Sequence, residues 1–148
     1  GIVPDSAGNS AVPASGAINV GGFYNAANRV AIALAIASDT QNYDLFTNKG
    51  GSYVAGTSDI TLTVNSGVNV GSSTTGSYAL SIPSAFDAGD SISIVNNGVI
   101  IGRGGQGGTN RGSGAVGGNA VYVARATTIT NNGTLAGGGG GGGGGGTG

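Results

Sequence analysis

Asn65-Ser-Gly-Val-Asn-Val-Gly71, Asn96-Asn-Gly-Val-Ile-Ile-Gly102 and Asn131-Asn-Gly-Thr-Leu-Ala-Gly137 share the form Asn-(Ser/Asn)-Gly-x-x-x-Gly, with matching glycines 31 and then 35 residues apart. Each follows a segment of alternating character that ends at Val64, Val95 or Thr130. That spacing falls in the range of supersecondary repeats that stack to share a core. The turn chemistry sits on Asn65 and Gly67, on Asn96, Asn97 and Gly98, and on Asn131, Asn132 and Gly133. Asn tolerates the left-handed backbone region and Gly enters it freely, so Asn-Gly turns the chain between two extended pieces with little strain. A hairpin and a corner of a coiled β-structure both satisfy this signal, and either gives a stack of short strands.

The segments between the turns read as strands. Ser58-Asp-Ile-Thr-Leu-Thr-Val64 alternates Ile60, Leu62 and Val64 with Thr61 and Thr63, the period-2 pattern of a half-buried strand rich in β-branched residues. Tyr78–Ile82 and Ser91–Val95 behave similarly. In the run Val30–Ala37, Val30, Ile32, Leu34 and Ile36 lie on one face and only Ala on the other. This predicts a strand packed by neighbours on both sides, with a short buried helix as the alternative. The expected fold is all-β, with short strands in a repeated β-turn-β, fibre-like or β-helix-like arrangement. Three regions follow from composition: a turn-rich connector at 1–29 containing Pro4 and Pro13, a β-strand domain at 30–101, and a glycine-rich tip, or start of a tip, at 102–148.

Glycine dominates that last region. Nine glycines in Gly102–Gly118 interleave with Arg103, Gln106, Thr109, Asn110 and Arg111, and ten consecutive glycines occupy Gly137–Gly146. Glycine loses the most backbone entropy on ordering, so such a run behaves as a flexible linker unless neighbours satisfy its backbone groups. The alternative is a polyglycine II helix with three residues per turn and a rise of about 3.1 Å, close enough to similar helices to hydrogen-bond with them.

Composition excludes several classes. The 148 residues hold 34 Gly, only 7% charged residues, and no Cys, Met, Trp, His or Glu, where average usage would give roughly ten glycines. Without thiolate or imidazole the chain builds neither zinc-type metal sites nor Ser-His or Cys-His dyads, so no catalytic residue, metal or cofactor is expected and the chain is read as non-enzymatic. Asp87 and Asp90 could form a paired-carboxylate site for glycan cleavage, but Asp87-Ala-Gly-Asp90 reads more simply as a turn. Five basic residues, Arg29, Lys49, Arg103, Arg111 and Arg125, are dispersed in a chain of net charge −1, which leaves no basic stripe for nucleic acid. The longest apolar run, Val30–Ala37, has eight residues, too few to span a bilayer as a helix. A chain opening at Gly1 and ending in a glycine tract reads as a fragment. Asn132-Gly-Thr134 formally matches a glycosylation sequon.

Four stretches carry a family likeness. Ser15-Gly-Ala-Ile-Asn-Val-Gly-Gly-Phe-Tyr24, the strand and Asn-Ser-Gly-Val at 60–68, Ala88–Gly98, and Gly102-Arg-Gly-Gly-Gln-Gly-Gly108 resemble segments of glycine-rich phage tail proteins. Asn25 stands where glycine is usual in that group. The resemblance implies host attachment at the distal end of a phage tail, as in central tail fibres and host-specificity proteins, with location in the virion tail outside the cell. T-even-type adhesins, similar in composition, carry glycine-rich motifs that fold as packed polyglycine helices with receptor-contacting loops.

Under that implication Arg103, Gln106, Asn110 and Arg111 are candidate receptor-contacting side chains, the arginines being suited to phosphate or carboxylate on a surface glycan. The plainer reading is that they cap or solubilise the tract. Tyr24, Tyr43, Tyr53, Tyr78 and Tyr122 could stack on sugars or fill a small core or subunit interface. Expected partners are other phage tail proteins and a bacterial outer-surface protein or glycan. A homotrimer is expected by analogy with tail fibres, because a chain poor in large apolar residues gains core between subunits. Rival readings are a secreted bacterial surface adhesin or repeat protein, and a shaft segment without receptor contact.

Overall fold

Ile60, Leu62 and Val64 point inward and Thr61 and Thr63 outward, and every strand that stacks on this one repeats its alternation. The computed structural model describes residues 29–146, and these form a parallel β-solenoid. Its first rung is β1 (Val30–Ile36), β2 (Thr40–Gln41) and β3 (Tyr43–Asp44); its second is β4 (Ser58–Val64), β5 (Asn69–Gly71) and β6 (Leu80–Ile82). The third is β7 (Ser91–Asn96), β8 (Val99–Ile101) and β9 (Val121–Val123), and a partial fourth holds β10 (Thr127–Asn131) and β11 (Thr134–Ala136). Corresponding strands stack in parallel into three sheets, β1-β4-β7-β10, β2-β5-β8-β11 and β3-β6-β9. No α-helix occurs among the described residues. The all-β, β-helix-like expectation therefore holds, and the repeated turns are solenoid corners rather than hairpins. The segment Ser15–Tyr24 lies outside the described residues.

The core is a set of like-on-like ladders. Ile32, Ile60 and Ile92 stack in one column and Leu34, Leu62, Ile94 and Ile129 in the next. Val70 and Ile100 continue the interior under the second sheet, and Leu80, Ile82, Leu45 and Phe86 fill the third side. Each fully buried side chain of this size contributes roughly 1.5–3 kcal/mol. The stack runs out at the last rung, where inward-facing Ile129 and Leu135 remain 36% and 38% exposed.

Two expectations need correction. Ala31, Ala33 and Ala35 do not pack under a neighbour; they are exposed on the outer face of the first sheet, where a methyl group in water costs little. The turn repeat is also out of step by its own pattern. Val64 pairs with Asn96 and Asn96 with Asn131, so Asn65 is level with Asn97, not Asn96. The second-rung corner holds 65–68 while the later corners hold only 97–98 and 132–133.

The corner glycines then serve different physics. Gly67 has φ +80°, as a left-handed turn requires. Gly98 and Gly133 do not have positive φ, and neither do the Asn residues before them. They are glycine because the rungs leave no room: a Cβ on Gly98 would stand 2.4 Å from the Val68 carbonyl oxygen, and one on Gly133 2.0 Å from that of Gly98. Asn96 and Asn131 form a ladder instead. The buried Asn96 amide donates to Asn131 Oδ1 (2.7 Å) and the Thr134 carbonyl (2.9 Å) and accepts from Gly98 N–H (3.2 Å). These bonds satisfy a polar group in a column otherwise occupied by Ile36 and Val64.

Candidate functional site

After β8 the chain leaves the solenoid at Gly102, runs out to Gly108, turns, and returns over 112–118 to β9. After β11 the final tract, Gly137–Gly146, runs alongside both. Hydrogen bonds recur every third residue. Gly102, Gly105 and Gly108 donate to the carbonyls of Ala136, Gly139 and Gly142 (2.8–3.0 Å). Gly138, Gly141 and Gly144 donate to Gly118, Ala115 and Gly112 (2.8–2.9 Å), and Ala115 and Gly118 donate to Gln106 and Arg103 (2.8 and 2.7 Å). The first segment thus bonds to the last, the last to the returning one, and the returning one to the first. This three-residue period is that of polyglycine II helices, here a closed bundle of three. Of the two readings of the glycine tracts, the packed-helix reading is the one observed.

Only some glycines are sterically required. A Cβ on Gly105, Gly114, Gly117, Gly138 or Gly141 would lie within 1.9–2.0 Å of a neighbouring carbonyl oxygen, whereas one on Gly139, Gly142 or Gly145 meets nothing within 4 Å. The same period places Arg103, Gln106 and Thr109 on one face of the outgoing segment. At the outer turn Gly112 N–H donates to the Thr109 carbonyl (2.8 Å), and Asn110 and Arg111 adopt φ 49° and 66°. Positive φ is uncommon for non-glycine residues and more so for arginine than for asparagine. The Arg111 side chain lies back over Gly146.

The four candidate residues therefore fall into two places. Arg103 and Gln106 line a groove of about 620 Å³ whose opposite wall is Ser73, Thr74 and Thr75, with the bare backbone of Gly104 and Gly105 between. Asn110 and Arg111 sit apart from it, at the outer turn. Gln106 also borders a second groove of about 330 Å³ that reaches Thr109 and Ser113.

Sequence reading missed the hydroxyl wall. Its signal was the run Ser72-Ser-Thr-Thr75 between a strand and Gly76. The wall is held firmly: Asn42, itself at φ 52°, donates from Nδ2 to Ser73 Oγ (2.7 Å) and accepts from Ser73 N–H (3.0 Å). Thr74 and Ser77 hydroxyls bond to each other (2.8 Å). Arg103 N–H donates to Ser72 Oγ (2.7 Å), which ties the glycine segment to the same loop.

The described residues among the other candidates make contacts within the fold. Asp90 accepts from Tyr53 Oη (2.6 Å), Gly56 N–H (2.9 Å), Asp87 N–H (3.0 Å) and Ser58 N–H (3.2 Å), the hub of a corner. Burial, then the Asp90 carboxylate, push the Tyr53 phenol above its ordinary value. Tyr53 packs edge-on against Phe46 and Phe86. Tyr43 packs against the core, while Tyr78 and Tyr122 stack on each other at 5.0 Å, with Tyr122 40% exposed.

A family model described as phage tail fibre adhesin Gp38 matches residues 31–148, which covers all eleven strands apart from the first residue of β1, and the three glycine helices. No curated protein and no solved structure matches this chain.

Proposed function

Because the chain belongs to the phage tail fibre adhesin Gp38 family, and so is an adhesive component of the phage tail, we propose that it attaches the virion to a receptor on the bacterial surface through its glycine-rich end. The observation that carries this is the three-helix glycine bundle, which ties Arg103, Gln106 and the Asn110-Arg111 turn to the solenoid and leaves all four residues exposed, with Arg111 folded back over Gly146. Polar side chains on a preorganised backbone lose less entropy on contact. In this reading the platform expected at 30–101 extends through the solenoid strands β9 to β11, the glycine segments within 102–148 are the tip, and 1–29 is the connector to other tail proteins. The target, outside the cell, is an outer-surface protein or glycan. Likeness to tail fibres supports a homotrimer, although the solenoid closes its core within one chain; a single-chain mass in sedimentation would overturn the trimer.

Deleting 102–148 would be a poor test, since β9, β10 and β11 lie within that stretch. Point variants keep the rungs. The purified chain is expected to be retained by some strains in a panel of bacteria, and a chain carrying Arg103→Gln, Gln106→Ala, Asn110→Gly and Arg111→Gly is expected to lose retention while melting within a few degrees of the parent. Unchanged retention by a folded fourfold variant would put receptor contact elsewhere. Absence of retention of the parent on every strain would favour a shaft segment.

A further inference from the structure

The charged groups of this chain are few, and the fold uses nearly all its cations. Arg29 forms a salt bridge with Asp59 (2.8 Å) and also bonds the Gly89 and Ser58 carbonyls. Arg125 donates to the Phe86 and Ser84 carbonyls (2.6 and 2.7 Å). Lys49 donates to the Phe46 carbonyl (3.0 Å) and sits 3.8 Å above that residue's ring. Arg111 is engaged against the end of the glycine tract. Only the Arg103 guanidinium has neither hydrogen bond nor ion pair among the described residues, and Arg103 is a lining residue of the 620 Å³ groove.

We propose that this groove binds a segment of surface glycan bearing an anionic group, phosphate or carboxylate, with Arg103 as the charge partner. The inference rests on the adhesin reading and names its ligand class. Among the described residues no carboxylate lines the groove beside Arg103. A guanidinium presents a planar fork that matches either oxyanion with two parallel hydrogen bonds. Facing it, Ser73, Thr74 and Thr75 supply hydroxyls that both donate and accept, the complement of a sugar's own hydroxyls. Because Asn42 Nδ2 already donates to Ser73 Oγ, the Ser73 hydroxyl hydrogen is available to a ligand. Gly104 and Gly105 add only backbone to the groove lining, the Cβ position of Gly105 being filled from within the bundle by the Ala115 carbonyl. A protein loop is the poorer fit. Protein-protein hot spots are enriched in aromatic anchors seated in desolvated pockets, and among the described residues the only apolar side chain on this groove is Ala115.

The test uses the full chain on an array of immobilised bacterial surface polysaccharides, each acidic one beside its dephosphorylated and its carboxyl-reduced form. At least one acidic glycan should be retained about tenfold or more over its neutralised counterpart, the worth of a charge-assisted pair, and the neutralisation that abolishes it identifies phosphate or carboxylate. Arg103→Gln should level the two forms with no change in melting temperature, since the guanidinium has no partner among the described residues. Arg103→Lys should recover part of the preference. Retention of no acidic glycan, equal retention of acidic and neutral forms, or a preference that survives Arg103→Gln each overturns the proposal. Bacteria are assayed in parallel: a chain that binds cells but none of the acidic glycans leaves the adhesin reading standing, and one that binds neither sinks both.

Discussion

The solenoid and the glycine bundle bury backbone by opposite means. In the solenoid, inward Ile, Leu and Val stack rung on rung, and the backbone ladders are shielded by the side chains they carry. In the bundle there is nothing to stack. Its segments approach so closely that a carbonyl oxygen occupies the place of a missing Cβ at every third residue, and order comes from the hydrogen-bond cycle. The solenoid is thus sensitive to losing atoms and the bundle to gaining them. The two rules meet at Gly98 and Gly133, where solenoid corners stack as tightly as the glycine helices.

The largest effect should come from taking atoms from the solenoid. Leu62 is fully buried, stacked between Leu34 and Ile94. Leu62→Ala is expected to cost about 2–5 kcal/mol in urea unfolding, the range for leucine truncations in tight cores. A cost below about 1 kcal/mol would mean the rungs relax around the gap and would blur the contrast.

The next effect comes from adding a single carbon to the bundle. A Cβ on Gly141 would meet the Gln106 carbonyl oxygen at 2.0 Å, whereas Gly142, one residue on, has open space and no positive φ. Gly141→Ala is expected to cost roughly 1–3 kcal/mol, as overpacking does, and to speed amide exchange at Gly105 and Gly108. Gly142→Ala is expected to be neutral or to stabilise by about 0.4–1 kcal/mol through the unfolded chain. If the two variants behave alike, the tract is not held in the three-residue register.

Much of this architecture was legible beforehand. The period-2 run at 58–64 and the repeat spacing carried the stacked strands, because alternation and period are one-dimensional signals. The register of the corners was not legible, since Asn65-Ser-Gly67 looks like Asn96-Asn-Gly98 while differing by two residues in corner length. The roles of the glycines were half legible: a sequence shows where side chains are missing but not whether φ or a neighbour's carbonyl forbids them. Arg103 and Gln106 were recognisable as polar punctuation in a glycine run. Their facing wall, Ser73–Thr75, comes from a loop about thirty residues earlier that only the rung stacking brings alongside.

The smallest effect separates the regions by pH. The bundle is held by backbone hydrogen bonds, which do not titrate, whereas the solenoid corners contain groups that do. Tyr53, its phenol raised by burial and by Asp90, stabilises the fold while protonated. That contribution is complete below the ordinary phenol value near 10 and is lost as pH rises through the higher folded value. Asp39 runs the other way. Held below the ordinary carboxylate range by the Asn69 N–H and side-chain amide, it contributes above about pH 4 and loses that contribution as pH falls through its lower folded value. Tyr53→Phe should therefore lower stability slightly at neutral pH, by about 0.5–1.5 kcal/mol for the lost hydrogen bond to Asp90, and flatten the alkaline decline in melting temperature. Asp39→Ala should flatten only the acid decline. Amide protection of Gly105, Gly108 and Gly141, corrected for intrinsic exchange, should stay level while the solenoid remains folded. A bundle that loosens in step with Tyr53 ionisation would show that the two regions open as one unit, and the contrast between them would then describe packing but not cooperativity.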